Sequence, residues 1–242
     1  MHRLSATFEG KSVLVAGGTG GLGRAVSLAF LEAGAHVAAT YRKDEEYHAL
    51  AMAAGAASAR LSGHAVDVTD ESATRTLVEA ILARRGRLDA FVNAVGGWTG
   101  GRKLWEADAG VFEAMLALNL RAGVALCRAI VPAMVRQGAG VVVNVASRSA
   151  IAPGPGEAAY AASKAAAVAM VASLAEDLKG TGVRANSVLP SIIDTEANRR
   201  AMPKADFSKW PKPEDIARVI LFLCGDDARL VHGAAIPVYG AA

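Results

Sequence analysis

Residues 12–23 read Ser-Val-Leu-Val-Ala-Gly-Gly-Thr-Gly-Gly-Leu-Gly, and this stretch decides the fold. The apolar run at 12–16 does not alternate with polar residues, which is typical of a strand buried on both faces. Glycines at 17, 21 and 23 then form a turn before an amphipathic helix predicted over 22–33. Such glycines serve in ordinary turns, but between a strand and a helix they also let a phosphate approach the backbone. The free N–H groups at the start of the helix favour anions. We therefore predict a strand–loop–helix unit that binds a pyrophosphate.

The rest of the chain repeats this alternation of apolar runs and helical patterns. Strands are predicted at 12–16, 36–40, 62–66, 89–95, 140–146, 183–189 and 235–238, and helices at 22–33, 44–54, 70–85, 108–137, 157–179 and 213–224. Alternating strands and helices pair in parallel through right-handed crossovers. The sequence thus predicts an α/β fold of the Rossmann-like type. It consists of a doubly wound parallel sheet of about seven strands, with helices on both faces, in a single domain over 1–242. The long irregular stretch at 191–212 is predicted to be a substrate lid.

Composition argues against several classes of function. The net charge of +3 comes from 26 basic and 23 acidic residues that are interleaved. The densest basic cluster, Arg84-Arg85-Gly-Arg87, falls at a predicted helix end, where cations suit the helix dipole. Without a wider basic stripe and stacking aromatics, we expect no nucleic-acid binding. The alanine-rich stretch 158–175 contains Ser163 and Lys164, so we expect no membrane span there.

The cysteines and the N-terminal residues indicate the cellular compartment of the protein. Cys127 and Cys224 are far apart and lack metal-ligand spacing, so we expect buried thiols, a reducing compartment and no metal site. Residues 1–10 lack the apolar core of a signal peptide. We therefore expect a cytoplasmic protein.

Tyr160 and Lys164 lie four residues apart in a predicted helix, and Ser147 precedes the tyrosine by thirteen residues. An i, i+4 pair shares one helix face. An ammonium beside a phenol favours phenolate and lowers the pKa of the phenol. A tyrosine in that state can exchange a proton with an alcohol or a carbonyl oxygen, to which Ser147 would hydrogen-bond. In an arbitrary helix such a pair usually lies on the surface without a catalytic role. Here the motifs upstream of it favour proton transfer.

In order along the chain, these motifs resemble the short-chain dehydrogenase/reductase family. Ala16-Gly17-x-x-x-Gly21-x-Gly23 is similar to its cofactor loop, Asn93-Ala-Val-Gly96 to its Asn-Asn-Ala-Gly strand end, and Pro190-Ser-Ile-Ile-Asp-Thr195 to its Pro-Gly-x-x-x-Thr segment. The resemblance implies hydride transfer between a nicotinamide and a carbonyl or alcohol substrate. It implies the catalytic set Asn119, Ser147, Tyr160 and Lys164, with Asn119 holding a water on the proton path. The cofactor contacts that it implies are Gly17, Thr19, Gly21, Leu22, Gly23, Tyr41, Arg42, Asp67, Val68, Asn93, Ala94, Gly96, Tyr160, Lys164, Pro190, Ile193 and Thr195, with Asp67 at the adenine.

The cofactor preference depends on the end of the second predicted strand. NAD-preferring relatives carry an acidic residue there, where this chain has Tyr41. Arg42 could bind a 2′-phosphate through charge-assisted hydrogen bonds, and Thr40 could donate another. Gly20 replaces a residue that is often basic in NADP-preferring relatives, and Arg42 and Lys43 could instead be solvated charges paired with Asp44 and Glu45. We expect NADP(H), with NAD(H) as the alternative.

A narrower resemblance concerns the substrate. Asn198–Trp210 and Gly96-Gly-Trp-Thr-Gly-Gly101 resemble the corresponding segments of dihydropteridine reductase, a divergent member of the family. Trp98 could stack on a flat heterocycle, with the lid residues Met202, Phe207 and Trp210 covering the nicotinamide side. Alternatively Trp98 and Trp210 only pack the lid and keep the site dry. The pterin enzyme lacks an equivalent of Ser147, so a carbonyl reductase fits the full catalytic set better.

Other substrates and classes stay open. A 3-oxoacyl-carrier-protein reductase would need basic residues near the site, and Arg102, Lys103, Arg148, Arg199 and Arg200 are available. A dinucleotide sensor without turnover would not need Tyr160 or Lys164. Family members commonly assemble through two long helices, which here are 108–137 and 157–179. The second is rich in small residues, so we expect a dimer or tetramer.

Overall fold

The structure is a computed structural model that describes residues 7–241. The strands are β1 (Ser12–Ala16), β2 (His36–Tyr41), β3 (Leu61–Ala65), β4 (Ala90–Asn93), β5 (Gly140–Val145), β6 (Val183–Pro190) and β7 (Ala235–Val238). The helices are α1 (Gly21–Glu32), α2 (Asp44–Ala54), α3 (Glu71–Arg85), α4 (Ala109–Leu116), α5 (Ala122–Gln137), α6 (Ala158–Asp177), α7 (Glu196–Ala201) and α8 (Pro213–Cys224). The predicted domain bounds and the predicted absence of a signal peptide include residues 1–6 and 242, which lie outside the described part.

All seven strands form one parallel sheet in the order β3-β2-β1-β4-β5-β6-β7. The order reverses direction between β1 and β4, which pair with each other from Val13–Ala90 to Ala16–Asn93. A doubly wound sheet places ligands at the carboxyl ends of its strands beside such a reversal. The predicted fold class is confirmed.

Alternate residues of β1 point into two separate cores. Val13 and Val15 belong to the core under α1 and α8, whereas Leu14 and Ala16 belong to the core under α3 and α5. All four side chains are fully buried. An unalternating apolar run is therefore what a central strand covered on both faces requires.

The predicted helix 108–137 is interrupted. A wide π-helical turn at Ala117–Arg121 separates α4 from α5, and it contains the buried Asn119. Such turns insert one residue into an α-helix and are frequent at functional sites. The apolar pattern runs through the turn, so the sequence alone did not reveal it.

The predicted irregular stretch at 191–212 also needs correction. It contains α7 and a 3₁₀ turn at Phe207–Lys209. The Thr195 hydroxyl caps α7 by accepting from the Asn198 N–H at 3.2 Å, a typical N-cap. The segment is therefore a short helix with two flanking loops.

Two helical stretches, Ala109–Gln137 and Ala158–Asp177, are long and apolar enough by composition to cross a membrane. In the structure, α5 packs against β5 and α6 packs against β5 and β6. This covering role accounts for their apolar composition.

Candidate active site

The predicted motifs meet at one edge of the sheet, where each strand ends. Gly17 follows β1, Asp67 lies just beyond β3, Asn93 ends β4 and Ser147 follows β5. Two cavities lie along this edge. The outer one, of about 190 Å³, is lined by residues of the loops after β1 to β4, and the inner one, of about 580 Å³, by residues around Ser147 and Tyr160.

The glycine loop is held in a fixed shape by the second strand. The Gly17 N–H donates to the Thr40 hydroxyl at 2.8 Å, and the Gly18 N–H donates to the Thr40 carbonyl at 3.1 Å. Gly17 has a φ of +71°. A Cβ at Gly23 would lie 2.0 Å from the Gly17 carbonyl oxygen, so only glycine allows α1 to begin so close to the loop. The first turn of α1 has neither a side-chain cap nor an acidic residue, which leaves its N–H groups free for an anion.

Thr40 lines the outer cavity, and its side chain is buried beneath the glycine loop, where the hydroxyl accepts from Gly17. Thr40 therefore also shapes the loop. A bond from its hydroxyl to a 2′-phosphate stays a prediction.

The outer cavity has mixed charge. Its lining includes five of the predicted cofactor contacts: Thr19, Tyr41, Arg42, Asp67 and Val68. The Asp67 carboxylate accepts from the N–H and hydroxyl of Thr69, and these bonds lower the pKa of Asp67, with a smaller contribution from Arg42. The rings of Tyr41 and Tyr47 stack with centroids 5.0 Å apart.

Glu46 is a lining residue that the sequence analysis missed. Its carboxylate accepts from the Thr19 hydroxyl at 3.0 Å and lies 3.8 Å from the Lys43 ammonium. The sequence suggested Asp44 or Glu45 as the partner of Lys43. Glu46 takes that place because helical spacing puts residues three apart on one face.

The end of β4 is locked by side-chain amides. The Asn93 amide donates to the Asn144 side chain at 3.0 Å, and its carbonyl oxygen accepts from the Val95 N–H at 3.2 Å. Asn93 is buried between strands, so it shapes the cavity wall from behind. Ala94 and Gly96 form the wall itself.

Asn119 clamps the loop that follows. Its side-chain oxygen accepts from the Gly97 N–H at 3.0 Å, and its amide donates to the Gly97 carbonyl at 3.1 Å. The same amide donates to the Ser163 hydroxyl at 3.0 Å, and Ser163 donates to the Tyr160 carbonyl at 2.7 Å. Ser163, which the sequence analysis did not single out, thus joins Asn119 to the helix that carries Tyr160.

The Tyr160 phenol is mostly buried in the wall of the inner cavity. Burial raises its pKa, the neighbouring Ser147 hydroxyl opposes this effect, and the Glu157 carboxylate adds to it. Lys164 is not among the groups that shift the pKa of Tyr160, and its ammonium lies 6.0 Å from the centre of the ring. In this structure Tyr160 is therefore a phenol.

Lys164 is buried and points at the backbone. Its ammonium donates to the Val145 carbonyl at 3.0 Å, and its side chain is 5% exposed. Desolvation lowers the pKa of Lys164 to about 8. A Cβ placed on Gly96 would lie 2.9 Å from both the Lys164 nitrogen and the Asn119 oxygen, so these two groups converge behind the loop.

The inner cavity has the size of a small-molecule site. Its lining includes the predicted residues Ser147, Tyr160, Pro190, Ile193, Trp98 and Met202. Phe207 and Trp210 are not among the lining residues. They pack on each other with ring centroids 5.0 Å apart, and Trp210 is buried. That they cover the nicotinamide side stays a prediction, because it concerns the lid closed over bound cofactor and substrate. Arg148 and Glu157 add charge to the cavity. Arg148 is one of the basic residues expected near the site, whereas Glu157 was missed.

The lid is anchored at both ends. The Thr195 methyl lies 2.7 Å from where a Cβ on Gly21 would stand, so the lid begins directly on the glycine loop. Within the lid, Arg199 donates to Asp194 at 2.8 Å and stacks over Phe207 at 4.9 Å. The Asp194 N–H donates to the Pro211 carbonyl at 3.0 Å, which closes the segment into a loop.

These features fit a dinucleotide. The glycine loop leaves no side chain between its N–H groups and the edge of the sheet. The outer cavity joins that loop to Tyr41 and Arg42, and Tyr160 lines the other cavity.

Comparisons with known proteins give the family. Residues 11–206 match the family model of short chain dehydrogenase. The chain is 32% identical over 240 residues to the 3-oxoacyl-acyl-carrier-protein reductase FabG of Thermotoga maritima, covering 96% of this chain and 97% of that protein. It is also 32% identical to the D-threitol dehydrogenase of Mycolicibacterium smegmatis, covering 96% and 92%.

Similarity to solved structures supports the same family. The structure of ElxO with bound NADP superimposes with a TM-score of 0.90 at 26% identity and covers 95% of this chain and 97% of its own. Similarity extends over nearly the full length of each relative. The chain therefore belongs to the short-chain dehydrogenase family, and it is an oxidoreductase that uses a nicotinamide dinucleotide and acts on alcohol or carbonyl groups.

Proposed function

We propose that Tyr160 exchanges the proton that accompanies hydride transfer, with Ser147 holding the oxygen of the carbonyl or alcohol. The observation that carries this proposal is the placement of both hydroxyls on the inner cavity, with Lys164 buried behind them. When bound, the dinucleotide supplies or accepts the hydride at its nicotinamide ring.

In the reductive direction, the Ser147 hydroxyl donates to the carbonyl oxygen and fixes the substrate. Tyr160 then gives its proton to that oxygen as negative charge develops. Because burial holds the pKa of Tyr160 above its usual value, the phenol is protonated at neutral pH. Near neutrality Tyr160 can therefore act as the proton donor for reduction, and oxidation, which needs the phenolate, should accelerate as the pH rises.

Lys164 and Asn119 support this proton transfer from behind the cavity wall. The Lys164 ammonium would bind the nicotinamide ribose and favour phenolate once Tyr160 has lost its proton. Asn119 acts as a positioning residue, since its amide groups hold Gly97 and Ser163. That Asn119 also holds a water on the proton path stays a prediction.

Tyr160→Phe tests the mechanism. It keeps the ring and removes the proton, so turnover should fall by about a hundredfold to ten-thousandfold. Dinucleotide binding, read by nicotinamide fluorescence, should persist. Tyr239→Phe is a matched control outside the proposed proton path. Turnover in Tyr160→Phe close to that of the wild type would refute the role.

For the substrate, we propose a small ketone or the corresponding alcohol. Ser147 and Tyr160 both line the cavity, and two hydroxyls there support carbonyl chemistry. The indole of Trp98, which is 58% exposed, adds an apolar wall. Oxidation of the reduced dinucleotide should be measured with simple ketones, quinones, a 3-oxoacyl thioester and quinonoid dihydropterin. Faster turnover of the thioester or the pterin than of every ketone would replace the ketone with that substrate.

For the cofactor, we propose NADP(H) over NAD(H), with the 2′-phosphate bound by Arg42. Arg42 is exposed beside the outer cavity, and it forms no ion pair within residues 7–241. Tyr41 adds no carboxylate there. Glu46 opposes a phosphate, although Lys43 and Thr19 both contact its carboxylate.

The remaining expectations stay predictions. The free thiols of Cys127 and Cys224 are consistent with the expected reducing, cytoplasmic compartment. A dimer or tetramer is proposed from the family resemblance and the small residues of α6. A dinucleotide sensor would bind the cofactor without turnover, which the Tyr160→Phe comparison distinguishes.

A further inference from the structure

A third cavity, with a more basic lining, lies beside β2 and β3. Its volume is about 40 Å³, and it lies between the starts of β1, β2 and β3 and the last turn of α3. Its polar lining comprises Ser12, His36, Arg60, Ser62, His64, Arg84 and Arg85. His64 lies opposite Thr40 in the register of β2 and β3, but this cavity and the outer cavity share no lining residue. The cavity is therefore distinct from the two at the proposed active site.

The cluster concentrates positive charge. Its arginines come from two places: Arg60 precedes β3, whereas Arg84 and Arg85 end α3. None of the three forms an ion pair within the described residues 7–241. No carboxylate lines the cavity. Like charges held together without a partner repel one another, so the fold retains this cluster at a cost in stability.

Two donors in the cluster are buried without an acceptor. The Nε–H groups of Arg60 and Arg85 are buried, and neither has a hydrogen-bond partner among the described residues. Arg60 is fixed in place, because its Nη2 donates to the Leu31 carbonyl at 2.7 Å. Buried donors in proteins are nearly always paired, and those that are not need an explanation.

The positive charge of the arginines also lowers the pKa of the two histidines in the cavity, His36 and His64. Burial lowers the pKa of His36, and Arg85, Arg60 and Arg84 lower it further, whereas Glu9 acts in the opposite direction. Burial, followed by Arg84, lowers the pKa of His64, whose ring is 3.2 Å from the Ser62 hydroxyl. These two rings therefore report on the charge within the cavity.

The C-terminal end of α3 explains only part of the cluster. Cations in the last turn of a helix stabilise its dipole, which accounts for Arg84 and Arg85. Arg136 has the same position in the last turn of α5, where it is exposed to solvent. The dipole accounts neither for Arg60, which lies outside α3, nor for the buried Nε donors.

We propose that this cavity binds a tetrahedral oxyanion, specifically a phosphate group, held by Arg60, Arg84 and Arg85 with help from Ser62. A cavity of this size holds about three water molecules, which is close to the volume of one such group. Guanidinium groups bind phosphate oxygens through paired, charge-assisted hydrogen bonds. Because Arg84 is exposed, the group could be free phosphate or the end of a larger phosphorylated molecule.

Histidine NMR can test the site directly. The ring resonances of His36 and His64 should be titrated with pH in chloride and then in sulfate at equal ionic strength. A bound anion favours the charged imidazole, so both midpoints should rise, by about one pH unit. His48 and His232 lie outside the cavity and serve as internal references. Inorganic phosphate and ribose 5-phosphate, tested in parallel, separate a free anion from a phosphate carried on a larger molecule.

Variants assign the effect to the cluster. The double variant R60Q/R85Q should lose the shift, whereas R136Q, the matched helix-end control, should retain it. R84Q changes an exposed side chain, so it should fold normally and still show a reduced shift. Midpoints that do not move with sulfate, phosphate or ribose 5-phosphate would overturn the proposal. So would an undiminished shift in folded R60Q/R85Q or R84Q.

Discussion

Replacing Lys164 with methionine should reveal the free energy that this buried amine costs the fold. Burial lowers the pKa of Lys164 from 10.5 to about 8. Each unit corresponds to about 1.4 kcal/mol, so at neutral pH the charged amine destabilises the folded state by about 3 kcal/mol. Methionine has a similar length and no charge, and it removes this cost. It also leaves the Val145 carbonyl without its donor, a loss of about 1–3 kcal/mol.

The two effects nearly cancel at pH 7, but only one of them depends on pH. Between the folded pKa of about 8 and the unfolded value of 10.5, the unfolded chain binds more protons than the folded one. Wild-type stability from this group is therefore lowest below about pH 8 and is regained as the pH rises towards 10.5. The stability of Lys164→Met relative to the wild type should fall by about 2 kcal/mol between about pH 7 and about pH 9.5.

Urea unfolding of both proteins at a series of pH values measures this difference. Lys179→Met is the control, since the Lys179 side chain is 65% exposed and should show no comparable trend. Turnover of Lys164→Met should be lost even where its stability matches the wild type. A difference in stability that stays constant across the pH range would refute the inferred burial cost.

Three further outcomes concern the cofactor, the lid and assembly. Arg42→Ala should weaken NADPH binding by about tenfold to a hundredfold by removing charge-assisted bonds. It should leave NADH binding unchanged, and Lys43→Ala is the neighbouring control; equal wild-type dissociation constants for the two cofactors would contradict the role of Arg42. Arg199→Gln removes the bonds to Asp194, so hydrogen exchange in 196–201 should accelerate and KM should rise, whereas Arg200→Gln should change neither; unchanged exchange would show that the anchor is dispensable. Light scattering should give a dimer or tetramer, and a species of 24.8 kDa would contradict assembly.

The sheet was predictable because its evidence is local. The seven apolar runs each form a strand, and β1, α2, β7 and α8 have the predicted bounds. In a doubly wound fold, covered strands produce continuous apolar runs and the intervening helices produce a longer period. The parallel connections then place all strand ends on one edge.

The charge state of the site was not predictable in the same way. The spacing of Tyr160 and Lys164 correctly placed them on one helix, but the pKa of each depends on burial and on atoms distant in sequence. The Val145 carbonyl, which holds the Lys164 ammonium, belongs to a different element. The 3₁₀ turn at Phe207–Lys209, where Phe207 and Trp210 pack on each other, was likewise not visible in any local pattern of the sequence.

The wide turn at Ala117–Arg121 has a consequence for insertions and deletions. One residue of an α-helix corresponds to about 100° of rotation, so the extra residue sets α4 and α5 in different phases. The two halves need this offset, because α4 packs on α6 whereas α5 packs on α3. Deleting one residue from the turn would restore a regular helix, but it would rotate one apolar stripe away from its neighbour and withdraw Asn119 from Gly97. The irregular turn therefore makes this segment intolerant of a change in length, even where each individual side chain could be replaced.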